Sequence, residues 1–430
     1  MTGPAKRHNH GPARAAAEKI VRTLRSAGHI AFFAGGCVRD EILGLEPSDY
    51  DVATDAVPDR VVSLFPRAGE VGKSFGVVIV RLGGETIEVA TFRSDGPYTD
   101  TRRPDFVRFS SPQEDAARRD FTANAIFLDP TGDGNVGEVV PGVQGLVIDY
   151  VNGRADINAK VLRAVGDPEQ RLAEDHLRAL RAARIAAKLG FGVEAATAAA
   201  VRAHASDLRG VSRERIGDEV RRMMLHPSRA RGARLIGELA MQVPILGPLT
   251  PAVSAELISL SSLPSCVRYP AALAAWALDL AVVRGASDIA NVVTSWRDSL
   301  DLSNEERDEM LAALRSGSLV IGWIGGGWMS HPVAARKRVA SSPAFVMALD
   351  AFRGRWTAQV EAAERDVASL GADGIGLTPP PLVSGEDLIA MGLTPGPRFK
   401  AILDQVYDAQ LEGMVKNLGQ GRELARTIGV

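Results

Sequence analysis

The hydrophobic periodicity of the chain changes near residue 155, and this change constrains the fold more than any other feature of the sequence. Before it, apolar runs at 31–34, 75–82 and 86–93 are separated by glycine turns, a pattern typical of β-strands. After it, Ala, Leu and Arg recur at helical spacing between proline and glycine breaks. We therefore predict an α+β domain followed by a longer all-helical region.

Composition and charge narrow the class of protein. The longest apolar run, around residues 271–283, is interrupted by Asp279, so we expect no transmembrane helix and no membrane partner. The N-terminus lacks the apolar stretch of a secretory signal, and two cysteines cannot form a disulfide framework, which favours a cytoplasmic location. The net charge of −2 argues against a nucleic-acid binder, but arginines cluster at 93–119 and 163–184. Local positive potential is what a polyanion requires.

Two closely spaced aspartates follow a glycine turn. Asp49 and Asp51 are two residues apart, so on an extended strand both side chains point to the same face, and they repel unless a cation lies between them. The sequence predicts a divalent metal site, with Mg²⁺ as the expected ion; a solvated turn is the alternative. Gly35 and Gly36 permit close approach of a triphosphate, and Arg39 offers a forked donor to phosphate oxygens.

Further charged residues are candidates for the same site. Glu88 lies among apolar residues on a predicted central strand, where an unpaired acid is costly, so it is a candidate third carboxylate; pairing with Arg93 or exposure to solvent is the alternative. Arg118 and Arg119 suit phosphate neutralisation, with Asp120 as a candidate to hold a guanidinium in place. A surface ion pair explains these three residues equally well.

A carboxylate and three arginines recur every three residues within 174–184, which we predict to be one helix. They are Asp175, Arg178, Arg181 and Arg184. Asp175 could accept from the exocyclic amine of cytosine or adenine while Arg178 donates to the neighbouring ring nitrogen, which selects C and A against U and G. The alternative is an exposed helix with i,i+3 ion pairs. The spacing of the seven histidines predicts no metal site of the His-Glu-x-x-His kind.

Together these motifs resemble the class II tRNA nucleotidyltransferases, which include CCA-adding enzymes and bacterial poly(A) polymerases within the polymerase-beta nucleotidyltransferase superfamily. "GGCVRD…SDYDVAT" is similar to the family's first motif and "RRDFTANAI" to the second. "AVGDPEQRLAEDHLRALRAAR" resembles the third and fourth, and "SRERIGDEVRRMM" the fifth. The matches run in the expected order from residue 31 to residue 224, and residues 384–413 resemble the tail of CCA-adding enzymes more loosely.

The resemblance implies a polymerase-beta-like nucleotidyltransferase head followed by an all-helical neck, body and tail. We place these at 1–155, 156–230, 231–372 and 373–430, with base recognition in the neck and tRNA binding in the tail. The resemblance assigns metal binding to Asp49 and Asp51, and nucleotide contacts to Gly36, Arg39 and Arg119, with Arg118 as the near alternative. It assigns base reading to Asp175 and Arg178, supported by Arg181 and Arg184.

The implied activity is template-independent addition of C, C and A to the tRNA 3′ end from CTP and ATP, with two Mg²⁺ ions and no DNA partner. A poly(A) polymerase and a specialised CC-adding or A-adding enzyme are the nearest alternatives, and an RNA-binding protein on the same fold is a non-enzymatic one. Residues 95–116 resemble the flexible loop of full CCA-adding members, which favours addition of the final A. Without paired His and Asp hydrolase residues, we expect no phosphohydrolase activity.

Overall fold

The computed structural model describes residues 11–70, 76–98, 104–133, 136–249 and 256–429. The chain divides into two compact units, of which the first ends at Val211 and the second begins at Ser212. In the described residues the first unit contains a mixed sheet, and the second is helical. This confirms the predicted order of an α+β region followed by helices. The loop expected at residues 95–116 lies partly outside the described residues, which omit 99–103.

Most strands of the first unit lie in the predicted head, and two short ones lie in the predicted neck. They are β1 (Ala31–Ala34), β2 (Asp51–Thr54), β3 (Ala68–Glu70), β4 (Val77–Leu82), β5 (Glu85–Thr91), β6 (Arg93–Asp95), β7 (Val107–Phe109), β8 (Ile126–Asp129), β9 (Glu138–Val139), β10 (Leu146–Asp149), β11 (Val161–Leu162) and β12 (Gly192–Val193). In the described residues the large sheet has the order β3-β4-β5-β2-β1-β8-β10-β9. Its pairs are antiparallel except β2 with β5, whose parallel register sets Asp51 beside Glu88.

The helices of the first unit cover the sheet and continue into the predicted neck. They are α1 (Pro12–Ser26), α2 (Gly36–Ile42), α3 (Pro58–Leu64), α4 (Pro112–Ala117), α5 (Gly153–Ala159), α6 (Pro168–Glu174), α7 (Leu177–Leu189) and α8 (Ala195–Ala203). Strand alternation divides the apolar side chains of β1 between the two faces of the sheet. Phe33 packs with Ile20 and Leu24 of α1, whereas Phe32 packs with other aromatic rings on the opposite face.

The predicted neck differs from the sequence-based expectation in two respects. It is not entirely helical, because β11 pairs in parallel with β12. The single helix predicted over 174–184 is also wrong: α6 ends at Glu174, Asp175 has an extended backbone with φ −149° and ψ 104°, and α7 begins at Leu177. The physical reason is local, since Asp175 Oδ1 accepts a hydrogen bond from the Leu177 amide at 3.1 Å. Aspartate favours such a bond to a helix start over continuing the preceding helix.

The second unit is built from helices in its described residues. They are α9 (Arg213–Met224), α10 (Arg229–Glu238), α11 (Gln242–Leu246), α12 (Ile258–Ser262), α13 (Tyr269–Asp279), α14 (Ile289–Leu300), α15 (Asn304–Ile321), α16 (Val333–Ala340), α17 (Pro343–Arg353), α18 (Thr357–Gly371), α19 (Gly385–Ala390), α20 (Pro397–Leu411) and α21 (Leu418–Gly429). No described helix is both long and apolar enough to cross a membrane. The predicted boundaries at 155, 230 and 372 stay predictions.

Buried Asp279 shows why the most apolar stretch of the second unit contains an acid. Asp279 ends α13, and its carboxylate accepts from the amides of Ser259 and Leu260, each at 2.9 Å. Arg355 adds an ion pair at 3.0 Å. The charge is therefore satisfied inside the protein, as a buried carboxylate requires.

Candidate active site

Asp49 and Asp51 lie where the chain enters β2, a strand that pairs with β1 on one side and with β5 on the other. The buried ring of Tyr50 separates them, and its hydroxyl donates to Glu41 Oε1 at 2.9 Å. Because successive side chains of an extended segment alternate, burial of Tyr50 leaves the two carboxylates on the opposite side. Asp49 is exposed and Asp51 is half-buried. The structure thus brings the two predicted metal ligands together.

Neighbouring negative charges act on Asp51. The pKa of Asp51 is raised to about 6, first by burial and then by the charges of Glu88 and Asp49, with Arg119 acting in the opposite direction. A bound cation would remove this repulsion and favour the ionised carboxylate. The donor set is therefore one that suits a hard divalent metal ion.

Glu88 differs from the sequence-based picture of an acid enclosed by apolar residues. Its side chain is exposed, because it lies on the face of β5 opposite buried Ile87 and Val89. Arg93, the alternative partner, pairs with Asp95 at 3.0 Å. Among the described residues, no set of three donors within 4.8 Å of one another includes Glu88. Its metal role stays a prediction, although it adds charge beside Asp51.

Position 35 requires glycine because of its backbone conformation and because charged side chains lie close to it. Its φ of +79° lies in the left-handed region that glycine favours. A Cβ atom there would lie 3.3 Å from Arg119 Nη1 and 3.8 Å from Asp51 Oδ2. Gly36 begins α2, and a Cβ atom on it would make an ordinary 3.5 Å contact with Arg39. Of the two glycines, Gly35 is the one that the close approach of charged groups demands.

Arg39 has a different position from the one expected of a phosphate-binding fork. Its side chain is buried, and its Nε and Nη2 donate to Asp40 Oδ1 at 2.8 and 2.7 Å. Its Nη1 donates to Asn124 Oδ1 at 2.5 Å. The guanidinium is therefore bonded to Asp40 and Asn124 inside the protein, and the predicted phosphate contact of Arg39 stays a prediction.

Asp115 of α4 holds both arginines of the second motif. Arg118 Nη2 lies 2.6 Å from one carboxylate oxygen, and Arg119 Nη2 lies 2.9 Å from the other. Burial acts to raise the pKa of Asp115, but the charges of Arg119 and Arg118 outweigh it and lower that pKa. The sequence assigned this holding role to Asp120. Asp115 could have been identified from its position three and four residues before the arginines.

Asp120 instead binds an arginine of the predicted neck. Its Oδ2 accepts from Arg181 Nε at 3.0 Å and Nη2 at 2.6 Å, and its Oδ1 accepts from Asn124 Nδ2 at 3.1 Å. A continuous network therefore runs from Arg39 through Asn124 and Asp120 to α7. Asn124 was not identified from the sequence, because one of its partners, Arg39, lies 85 residues away in the chain.

The predicted base-reading pair is arranged differently from two side chains on one helical face. Asp175 precedes α7 and binds its first turn, whereas Arg178 Nη1 donates to Glu174 Oε2 at 2.5 Å and to the Arg171 carbonyl at 2.8 Å. Arg178, Arg181 and Arg184 all lie half-buried on α7. Asp175 and Arg178 are thus neighbours, but in this arrangement both side chains are hydrogen-bonded within the protein and do not together face a nucleotide base.

Comparison with known proteins identifies the family. The Poly A polymerase head domain matches residues 31–163, and the region described as "Probable RNA and SrmB- binding site of polymerase A" matches residues 190–251. A CCA-adding enzyme of Geobacillus stearothermophilus is 33% identical over 407 residues, which cover 93% of both chains. The chain belongs to the family of CCA-adding enzymes.

Further comparisons agree with this assignment. A CCA-adding enzyme of Bacillus subtilis is 46% identical over 197 residues, an alignment that spans 46% of each chain. The crystal structure of the Bacillus stearothermophilus CCA-adding enzyme in complex with CTP superposes with a TM-score of 0.73 at 27% identity, and covers 97% of this chain and 98% of that one. The predicted family and the predicted nucleotidyltransferase fold are confirmed.

Proposed function

We propose that the chain adds C, C and A to the 3′ end of tRNA from CTP and ATP, with Asp49 and Asp51 as the metal-binding carboxylates. The observation that carries this assignment of residues is the raised pKa of Asp51, about 6, beside Glu88 and Asp49. Strongly perturbed acids in a charged cluster are typical of functional sites. The likeness to a family member solved with CTP supports the nucleotide class.

The family implies a divalent metal, and the residues present suit one. Asp49 and Asp51 supply hard carboxylate oxygens on one side of the chain, which favours Mg²⁺ over softer ions. We propose two Mg²⁺ ions. When bound they would activate the 3′-hydroxyl and neutralise charge on the leaving pyrophosphate. With a pKa of about 6, Asp51 is mostly ionised at neutral pH, and a bound metal displaces a proton from it only as the pH falls toward 6.

Phosphate binding is proposed for Arg119, with Arg118 beside it. Asp115 fixes both guanidinium groups, and Arg119 lies 5.0 Å from the centroid of Phe127, which limits its movement further. Fixed cations stabilise developing negative charge without reorganising during the reaction. Gly35, next to Arg119 and Asp51, leaves space for a triphosphate to approach the backbone.

Base selection is proposed for Asp175 and Arg178. For both to reach a cytosine or adenine edge, Arg178 must leave Glu174 and the carboxylate of Asp175 must turn from the Leu177 amide. Each is a side-chain rotation and needs no change of the helix. Arg181 remains bound to Asp120 and would keep α7 in place beside the head.

The tRNA is proposed to bind through shape and phosphate contacts of the helical regions, including the RNA-binding match at 190–251. The cytoplasmic location expected from the cysteine count stays a prediction. Addition of the final A is proposed from the length of the loop at 95–116, five residues of which lie outside the described chain.

One primer-extension experiment tests the function. Purified protein is given tRNA ending before CCA and tRNA ending in CC, with each nucleoside triphosphate separately and then CTP with ATP. We expect extension to stop after CCA and no product from UTP or GTP. Long A tails on generic RNA would establish the poly(A) polymerase alternative, and extension that stops after CC would establish a CC-adding enzyme. Binding of tRNA with no incorporation would favour the RNA-binding protein.

A further inference from the structure

Three potential metal ligands meet in the first unit, apart from Asp49 and Asp51. His176 lies between α6 and α7, His204 follows α8, and Asp207 lies in the 3₁₀ helix Ala205–Gly210. One donor atom from each lies within 4.8 Å of the other two. The two imidazoles are mostly buried, with 14% and 20% of their side chains exposed, and the carboxylate is 41% exposed. The cluster is thus pre-assembled and reachable from solvent.

A neutral imidazole at His204 cannot donate a hydrogen bond to both of the carboxylates that it contacts. Its Nδ1 lies 2.8 Å from Asp207 Oδ2, and its Nε2 lies 3.0 Å from Glu169 Oε2. A neutral imidazole carries one N–H, so one of its nitrogens must face a carboxylate oxygen with a lone pair. Either a second proton or a metal ion between nitrogen and carboxylate resolves this conflict.

His176 adds an observation that a second proton on His204 does not explain. Its Nδ1 is buried without a hydrogen-bond partner among the described residues, and it lies 3.9 Å from the same Asp207 oxygen. Buried polar nitrogens are normally paired. A metal ion bound by this nitrogen, a nitrogen of His204 and Asp207 would satisfy all three donors at once.

The distances and the donor types indicate the class of metal. Ligands of tetrahedral zinc, with bonds of about 2.0–2.1 Å, lie roughly 3.4 Å from one another. The two separations given, 2.8 and 3.9 Å, lie on either side of this value. Two imidazoles with one carboxylate suit Zn²⁺ or Co²⁺ and not Mg²⁺, with water as a fourth ligand. Glu169 would accept from the outer nitrogen of His204, as carboxylates commonly do beside metal-bound histidine.

We infer that His176, His204 and Asp207 form a binding site for a divalent transition metal of the zinc class. The metal would join the α6–α7 junction to the end of α8. Because His176 directly follows Asp175, it would also restrain the segment that carries the proposed base reader; that consequence rests on the proposed function, whereas the site itself does not.

The test uses the full-length chain after removal of metals with a chelator. Co²⁺ is the probe, because its absorption reports four-coordinate binding, and excess Mg²⁺ keeps the hard carboxylates of β2 occupied. His8 and His10 are also potential ligands in the sequence, so both are replaced by glutamine in every protein compared. We expect one equivalent of Co²⁺ per chain with a tetrahedral spectrum, displaced by one equivalent of Zn²⁺.

Variants assign the ligands. His204→Gln and His176→Gln should no longer bind the one Co²⁺ ion per chain. Glu169→Gln should lower the affinity for Co²⁺ about 10- to 100-fold, as expected for a residue that hydrogen-bonds to a metal ligand. His331→Gln, in the second unit, is the matched control and should bind normally. Thermal unfolding without metal and primer extension show whether each variant is folded.

The inference is overturned if folded wild-type protein binds no Co²⁺, or if both histidine variants bind Co²⁺ as the wild type does. The cluster is then a protonated His204 between two carboxylates. Because metal binding is read by absorption, this result is independent of whether CCA addition is observed.

Discussion

Two carboxylates of the first unit, Asp51 and Asp120, have pKa values displaced in opposite directions. That of Asp51 is raised to about 6, and that of Asp120 is lowered to about 2. Burial acts to raise both, so burial does not explain the difference. Asp51 lies beside the like charges of Glu88 and Asp49. At Asp120, the charge and hydrogen bonds of Arg181, together with hydrogen bonds from Asn124 and the Phe121 amide, outweigh burial.

The two carboxylates differ in whether a cation of the protein is bound directly to them. Asp120 has its cation within the protein, and its ionised form is therefore part of what holds the network around Asn124 together. Asp51 lies beside two like charges, and among the described residues the charge of Arg119 acts to lower its raised pKa. Such an arrangement costs stability when the protein is free and is relieved by a bound cation, which is why perturbed acids are common at functional sites.

The largest effect is expected from Asp51→Ala. Loss of a metal-binding carboxylate should lower the rate of nucleotide addition by about a thousandfold or more, because the metal contributes several kcal/mol to the transition state. The free energy of unfolding at neutral pH should stay unchanged or rise, since a repulsive charge is removed. Primer extension and urea unfolding measure the two quantities.

Glu46→Gln is the matched control for this variant, because Glu46 is an exposed acid in the segment that precedes β2. It should leave both quantities unchanged. Wild-type turnover in Asp51→Ala would contradict the assigned role of Asp51, and a large loss of stability would contradict the comparison with Asp120.

The opposite pattern is expected for Asp120→Asn. Removing the partner of Arg181 should lower the free energy of unfolding by about 2 kcal/mol at pH 7, less than for a fully enclosed pair because Arg181 is partly exposed. The pKa of Asp120 is depressed, so its contribution is present above the ordinary aspartate pKa and is lost as pH falls toward about 2.

Urea unfolding at several pH values checks this. The difference in stability between wild type and Asp120→Asn should shrink below about pH 4, near the unfolded-state pKa of aspartate. Asp133→Asn, an exposed acid of the same unit, should show no such difference. Equal stability of Asp120→Asn and wild type across this range would show that the ion pair contributes nothing.

A smaller effect is expected for Asp175→Asn. The amide oxygen can still accept from the Leu177 amide, so helix α7 should keep its start while the charge that receives an exocyclic amine is lost. Discrimination of CTP and ATP against UTP and GTP should fall about tenfold, within the range of one base contact. Full exclusion of UTP and GTP by a folded variant would remove Asp175 from the proposed base reader.

The smallest effect is expected in the pH dependence of metal binding. If the ionised form of Asp51 binds the metal as proposed, affinity for Mn²⁺ as a probe should decrease as pH falls through about 6. Glu88→Gln removes a neighbouring negative charge and should move this decrease to lower pH. A binding titration at several pH values measures it, with Glu85→Gln on the same strand as control. A decrease at the same pH in both proteins would mean that Glu88 does not influence the site.

The sequence was sufficient for local features, because each depends on residues close together in the chain. Periodicity and turn residues predict the helices α1 and α3 and the strands on either side of Gly83–Gly84. They also predict that the side chains of Asp49 and Asp51 lie on the same side of the chain. The arrangement of the neck did not follow, because the carboxylate of Asp175 interrupts what helical spacing predicts as one helix.

By itself, the sequence determined the class of fold and the family, and it predicted the two aspartates of the proposed metal site. The tertiary structure alone decided which charges meet: that Asp115 holds Arg118 and Arg119, that Asp120 binds Arg181, and that Arg39 is turned inward to Asn124. It also brought His176, His204 and Asp207 together from separate segments. The physical reason is that the energy of a charge depends on its neighbours in space, and a folded chain takes those neighbours from any part of its length.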